Sequence, residues 1–119
     1  MSEKKYRWSR IAPAGERVAE EGSIAVVEAG HRKVCVARWQ GNLYAFAYKC
    51  PHAGGVLADG YLEAQGNVVC PVHRYKYNIR SGFNSSGEGY YLSNYPVEER
   101  EEGIYVGFPE SSIWDMFKK

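Results

Sequence analysis

Two short stretches combine residue types that ligate metals. Cys50-Pro51-His52 is a C-x-H pair, and Cys70-Pro71-Val72-His73 is a C-x-x-H pair, 17 residues further on. Thiolates are soft anionic donors that suit zinc, or iron bridged by sulfide, and imidazoles are neutral donors to the same metals. Each pair is close enough in sequence to reach one centre from one turn, so two turns facing each other would supply two sulfurs and two nitrogens. Zinc is one occupant of such a set. Structural zinc sites, however, pair Cys with Cys and His with His at intervals of roughly two to five residues. Here each pair mixes the two, and the first has one intervening residue.

The second occupant is a [2Fe–2S] cluster with two Cys on one iron and two His on the other. On the motifs Cys50-Pro51-His52-Ala53-Gly54-Gly55 and Cys70-Pro71-Val72-His73 the chain resembles the Rieske-type ferredoxins. Asn78-Ile79-Arg80-Ser81-Gly82-Phe83 is similar to the strand and turn after the second loop of that family. Tyr95-Pro96-Val97 with Gly103-Ile104-Tyr105-Val106 resembles its closing hairpin, and the Trp8 and Ile11 region its first strand. The resemblance implies one [2Fe–2S] cluster, with Cys50 and Cys70 on the buried iron and His52 and His73 on the iron nearer the surface. It also implies two antiparallel sheets with a cluster-binding subdomain inserted between strands.

Departures from the pattern carry expectations of their own. The extra disulfide of high-potential members would need cysteines where this chain has Gly55 and Val72. Of the two hydroxyls that donate to the sulfurs in those members, the Ser place holds Tyr75, and Tyr77 matches the Tyr place. Hydrogen bonds to the sulfurs raise a cluster's potential. A value in the lower part of the range of roughly −150 to +300 mV follows, raised somewhat by Tyr77. Arg74 stands where the family usually has Gly after the second His. With Lys76 and Arg80 it is a candidate basic rim for an acidic partner, against three ordinary solvated side chains. Cys35, in a Val-Cys-Val run, and His31, in a turn, read as bystanders.

The elements that must position these residues are strands. Tyr6–Ile11, Ser23–Glu28, Lys33–Trp39, Leu43–Tyr48 and Ile104–Phe108 are rich in β-branched and aromatic residues, and short Gly-containing turns separate them. Such spacing predicts antiparallel hairpins in an all-β sandwich or small barrel. Glu98 to Gly103 reads as a charged turn. Residues 49–60 and 70–89, dense in Gly, Pro, Cys and His, read as the site-bearing loops. The Rieske domain is expected over 1–108. Residues 109–119 form a tail in which Ser111 or Ser112 could cap a short helix.

The composition sets limits. The 119 residues suit one domain, and 45% hydrophobic content suits a globular one. A net charge of +1 lacks the basic excess of nucleic-acid binders. Three cysteines argue against a disulfide-stapled secreted scaffold. There is no leader pattern and no run near the roughly 20 apolar residues of a membrane span, so a cytoplasmic location is expected. No G-x-G-x-x-G fingerprint for a nicotinamide or flavin follows any strand, and no second set of two His and a carboxylate remains for a mononuclear iron. The expected function is that of a soluble one-electron carrier, not itself an enzyme, taking electrons from a reductase and passing them to an oxygenase or other redox enzyme. A small Rieske subunit of a larger oxidoreductase, such as a nitrite reductase, is the alternative. A structural zinc domain is the reading of another class.

Overall fold

The arrangement of apolar residues in one strand organises the molecule. In the computed structural model, which describes residues 5–51, 54–72, 74–87 and 89–109, Arg32–Trp39 forms β3. Its Val34 and Val36 point into one core, and its Cys35 and Ala37 into another. Both faces of the strand are covered, which is why its sequence is a continuous apolar run and not an alternation.

Around it, Tyr6–Ala12 is β1, Ile24–Ala29 is β2 and Asn42–Ala47 is β4. Tyr61–Leu62, Asn67–Val69 and Lys76–Asn78 are β5, β6 and β7. Asn94–Tyr95 is β8, Val97–Arg100 is β9 and Gly103–Pro109 is β10. One 3₁₀ turn spans Leu57–Asp59. The strands form a four-stranded sheet ordered β2-β3-β4-β8 and two three-stranded sheets, β1-β10-β9 and β5-β6-β7. Every strand pairing is antiparallel. The all-β expectation is met. Among the described residues no helix is long and apolar enough to cross a membrane. The tail from residue 110 onward lies outside them.

The first core lies between the four-stranded sheet and β1-β10-β9, where Val34, Val36, Leu43 and Ala45 meet Ile104, Val106 and Phe108. The second lies between the other face of the four-stranded sheet and β5-β6-β7. There Cys35, Phe46 and Ala37 meet Leu57, Val68, Tyr77 and Ile79, together with Cys50 and Cys70. Full burial of a side chain such as Phe46 contributes about 1.5–3 kcal/mol, so the small sheet is held by packing as well as by its two connections to the rest. A ring wedge adds to this. Trp39, at the end of β3, lies so close to Gly66 that a Cβ there would come within 2.8 Å of the indole, and the Arg80 guanidinium lies 5.2 Å from the Trp39 ring centre.

The β3–β4 turn needs positive φ at both central positions, and Gln40 (53°) and Gly41 (83°) supply it. The Glu21 carboxylate accepts both of their amide N–H groups, at 2.6 and 3.0 Å, which offsets the strain at Gln40.

The charged segment at 98–103 is not all turn. Val97–Arg100 is the edge strand β9, and the turn is confined to Glu101 and Glu102. Arg100 lies 4.9 Å from the Trp8 ring and 4.5 Å from the Tyr105 ring, and it pairs with Glu98 at 2.9 Å. Charges of this kind are how an edge strand keeps its open side wet.

Candidate metal centre

Both site loops are short excursions closed in the same way. The chain leaves β4, and the Cys50 N–H donates to the Gly55 carbonyl at 2.8 Å. After β6, the Cys70 N–H donates to the Tyr75 carbonyl, also five residues on and also at 2.8 Å. Each loop thus begins at a cysteine whose backbone N–H closes it. His52 and His73 themselves lie outside the described residues.

The two cysteines meet in the second core. Cys50 is 3% exposed and Cys70 is fully buried. The Cys50 Sγ lies 3.3 Å from the Tyr77 hydroxyl, and the Val72 N–H donates to the Cys70 Sγ at 3.4 Å. Burial pushes the Cys70 thiol above its ordinary pKa, the neighbouring Cys50 thiol pushes it further, and the Val72 N–H opposes both. Among the described residues no third Cys, His, Asp or Glu joins them in a metal-binding group.

The first loop passes so close to the second that, with Val72 opposite, a side chain at position 55 would crowd the valine methyl. A Cβ there would sit 2.8 Å from the Val72 Cγ2 and 3.4 Å from the Cys70 Sγ. A cleft of about 450 Å³ lies elsewhere, lined by Tyr6, Tyr44, Tyr95 and Val97 among others, and none of the cysteines borders it.

The family model that describes the Rieske [2Fe-2S] domain matches residues 7–89. The chain belongs to the Rieske [2Fe-2S] domain family. Human apoptosis-inducing factor 3 is 35% identical over 88 residues, which are 73% of this chain but 14% of that protein, so the likeness covers only a small part of it. The ferredoxin subunit of 3-phenylpropionate/cinnamic acid dioxygenase from Shigella flexneri is 31% identical over 75 residues, 60% of this chain and 68% of that one. Among solved structures, the chain is similar to one from a complex of reduced oxygenase and oxidised ferredoxin in carbazole 1,9a-dioxygenase. The TM-score is 0.73 at 25% identity, over 88% of this chain and 96% of that one.

Rieske domains bind one [2Fe–2S] cluster, and the sulfurs of this chain fit it. Soft donors are buried together, with an N–H donating to one sulfur and a hydroxyl within hydrogen-bond distance of the other, the kind of outer shell that suits such a centre.

The departures noted in the sequence now have geometry. Gly55 and Val72 face each other, and the Cβ position of Gly55 is 3.5 Å from the Val72 Cβ. That lies at the near end of the range for disulfides, roughly 3.5–4.5 Å. The double variant Gly55→Cys/Val72→Cys is therefore expected to form an inter-loop disulfide without moving either backbone. Mass spectrometry after alkylation in guanidinium without reductant should show two fewer modified thiols than the sequence then contains.

Arg74 adopts φ 59°, the left-handed shape for which glycine is suited. A non-glycine residue holds that shape at a cost of about 1–2 kcal/mol. The basic rim does not assemble. Lys76 pairs with Glu63 at 3.3 Å, and Arg80 is stacked on Trp39. Those partners are remote in sequence, and no local pattern announces them.

Cys35 packs in the same core as Cys50 and Cys70 and is fully buried. Burial raises its pKa to about 12, with an opposing hydrogen bond from the Ala58 backbone. A thiol so protonated and enclosed should resist iodoacetamide in the native protein and react at once in guanidinium. Peptide mapping reads the difference.

Proposed function

We propose that this Rieske domain is a one-electron carrier, with Cys50 and Cys70 on the inner iron and His52 and His73 on the outer one. The observation that carries the reading is the pair of buried, facing sulfurs on two loops of matching construction. The cluster, when bound, supplies a single reversible electron. Cys50 and Cys70 fix its inner edge to the core. The Val72 N–H and the Tyr77 hydroxyl offer hydrogen bonds to sulfur, which favour the more negative, reduced state. Phe46, Leu57 and Val68 keep water from that edge.

The ferredoxin subunits among its relatives belong to dioxygenase systems, and this supports an oxygenase as acceptor; a reductase as donor completes the proposal. A cytoplasmic setting, where thiols stay reduced, agrees with three cysteines in no disulfide.

Anaerobic reduction with dithionite followed by electron paramagnetic resonance tests the reading. A Rieske-type signal from about two irons per chain is expected. A colourless protein with one zinc per chain would overturn it.

A further inference from the structure

The cleft of about 450 Å³ draws its lining from both sheets of the first core and from the turn that ends β7. Tyr6 and Pro109 line it from β1 and β10, Tyr44 and Tyr95 from β4 and β8, and Ile79 and Arg80 from the turn. The three tyrosines are half-buried. An apolar group seated among them would complete their removal from water, at about 25 cal/mol per Å² of apolar surface. The space lies in the range, roughly 300–1,000 Å³, of clefts that hold a bound group.

The chain carries a matching group. Pro109, the last residue of β10, stands in the cleft wall. Ten residues follow it in sequence, and Ile113, Trp114, Met116 and Phe117 among them are large and apolar. Trp114 is five residues past Pro109, a reach of up to about 17 Å, ample for a cleft that begins at Pro109 itself. A segment tethered at the rim meets the cleft at an effective concentration of about millimolar order. Charge agrees as well. Among the described residues Arg80 is the one charged member of the lining, and beyond its stacking on Trp39 it is in no ion pair with a described residue. Glu110 and Asp115 flank Ile113 and Trp114 in the sequence, an acidic frame that complements that guanidinium.

We propose that residues 110–119 return into this cleft, with Trp114 seated against Tyr6 and Tyr95, so that the chain straps the turn after β7 to the two sheets of the first core. The seat touches both cores. Ile79 belongs to the second, and Tyr95 packs on the first. The small sheet, joined to the rest by its packing and two connections, thereby gains a third fastening.

Fluorine NMR on the full chain labelled with 5-fluorotryptophan tests the seat. Resonances arise from Trp8, Trp39 and Trp114, and the one absent from Trp114→Phe belongs to Trp114. It should lie away from its position in guanidinium and should not respond when deuterium oxide replaces water, as for an enclosed indole. Tyr6→Ala, in the cleft wall, should move it. Tyr61→Ala, which removes an exposed ring outside the cleft, should leave it in place.

Trp114→Ala should melt at least about 4 °C below the wild type, whereas Lys119→Ala should melt with it. Tyr6→Ala/Trp114→Ala should lose less than the sum of the two single losses, as residues in contact do. A Trp114 resonance at its guanidinium position with a full deuterium response overturns the strap. So do a resonance that Tyr6→Ala leaves unmoved and strictly additive losses. A native position held only in a dimer on gel filtration, and lost on dilution, overturns it too, since the cleft would then hold the end of a second copy.

Discussion

Cys70→Ser should purify as a folded protein almost without iron, while Cys35→Ser keeps the full complement. Both thiols are fully buried and share one core, so lost packing is about the same for the two changes. They differ in surroundings. Cys70 faces Cys50 and accepts the Val72 N–H, whereas the partners of Cys35 are backbone groups, the Ala58 N–H and the Tyr48 carbonyl 4.0 Å away. A serine hydroxyl is a hard donor that stays protonated, and it replaces a thiolate poorly on iron. Iron should fall from about two per chain to near zero. Elemental analysis reads the metal, and far-ultraviolet circular dichroism confirms the sheets. Equal iron loss in Cys35→Ser would undo the assignment of the two cysteines.

Tyr77→Phe should lower the reduction potential by about 40–60 mV. The ring is fully buried, and phenylalanine preserves its packing. What is lost is the hydroxyl, 3.3 Å from the Cys50 sulfur. A hydrogen bond of this kind is worth about 1–1.5 kcal/mol more when its acceptor gains negative charge, and about 59 mV corresponds to a tenfold change for one electron. The wild-type value is expected in the lower part of the Rieske range, since Tyr75 stands in the place of a second hydroxyl donor and no disulfide joins Gly55 to Val72. Protein-film voltammetry settles both points. A wild-type value above about +200 mV contradicts the second. An unchanged potential in Tyr77→Phe removes the role assigned to that hydroxyl.

The parts of this molecule that local chemistry determines were legible in its sequence. Cys50, His52, Cys70 and His73 stand out as candidate ligands because the spacing of such residues is a property of neighbours. β1 to β4 and β10 are marked by runs of β-branched and aromatic residues. The parts set by distant contacts were not legible. β5, β6 and β7 have two or three residues each, too few for a periodicity, and they exist because the small sheet packs on Phe46 and Leu57. β9 is hidden by its charge. Glu98 and Glu99 read as a solvated turn until their pairing with Tyr105 and Ile104 is seen. Lys76 and Arg80 suggest a basic rim to a reader who cannot see Glu63 and Trp39 beside them. The family pattern indicated Tyr77, but only the fold shows its hydroxyl beside the Cys50 sulfur.

One pairing has a consequence for how such a domain can be used. Tyr6 lies opposite Pro109, so the described chain enters and leaves side by side on one sheet. Joining those ends through a short linker and opening the chain at an exposed turn, such as Glu101-Glu102, should give a circular permutant that still folds. By the same geometry, a host polypeptide could carry the whole unit as an insertion in one of its own surface loops, with neither framework stretched.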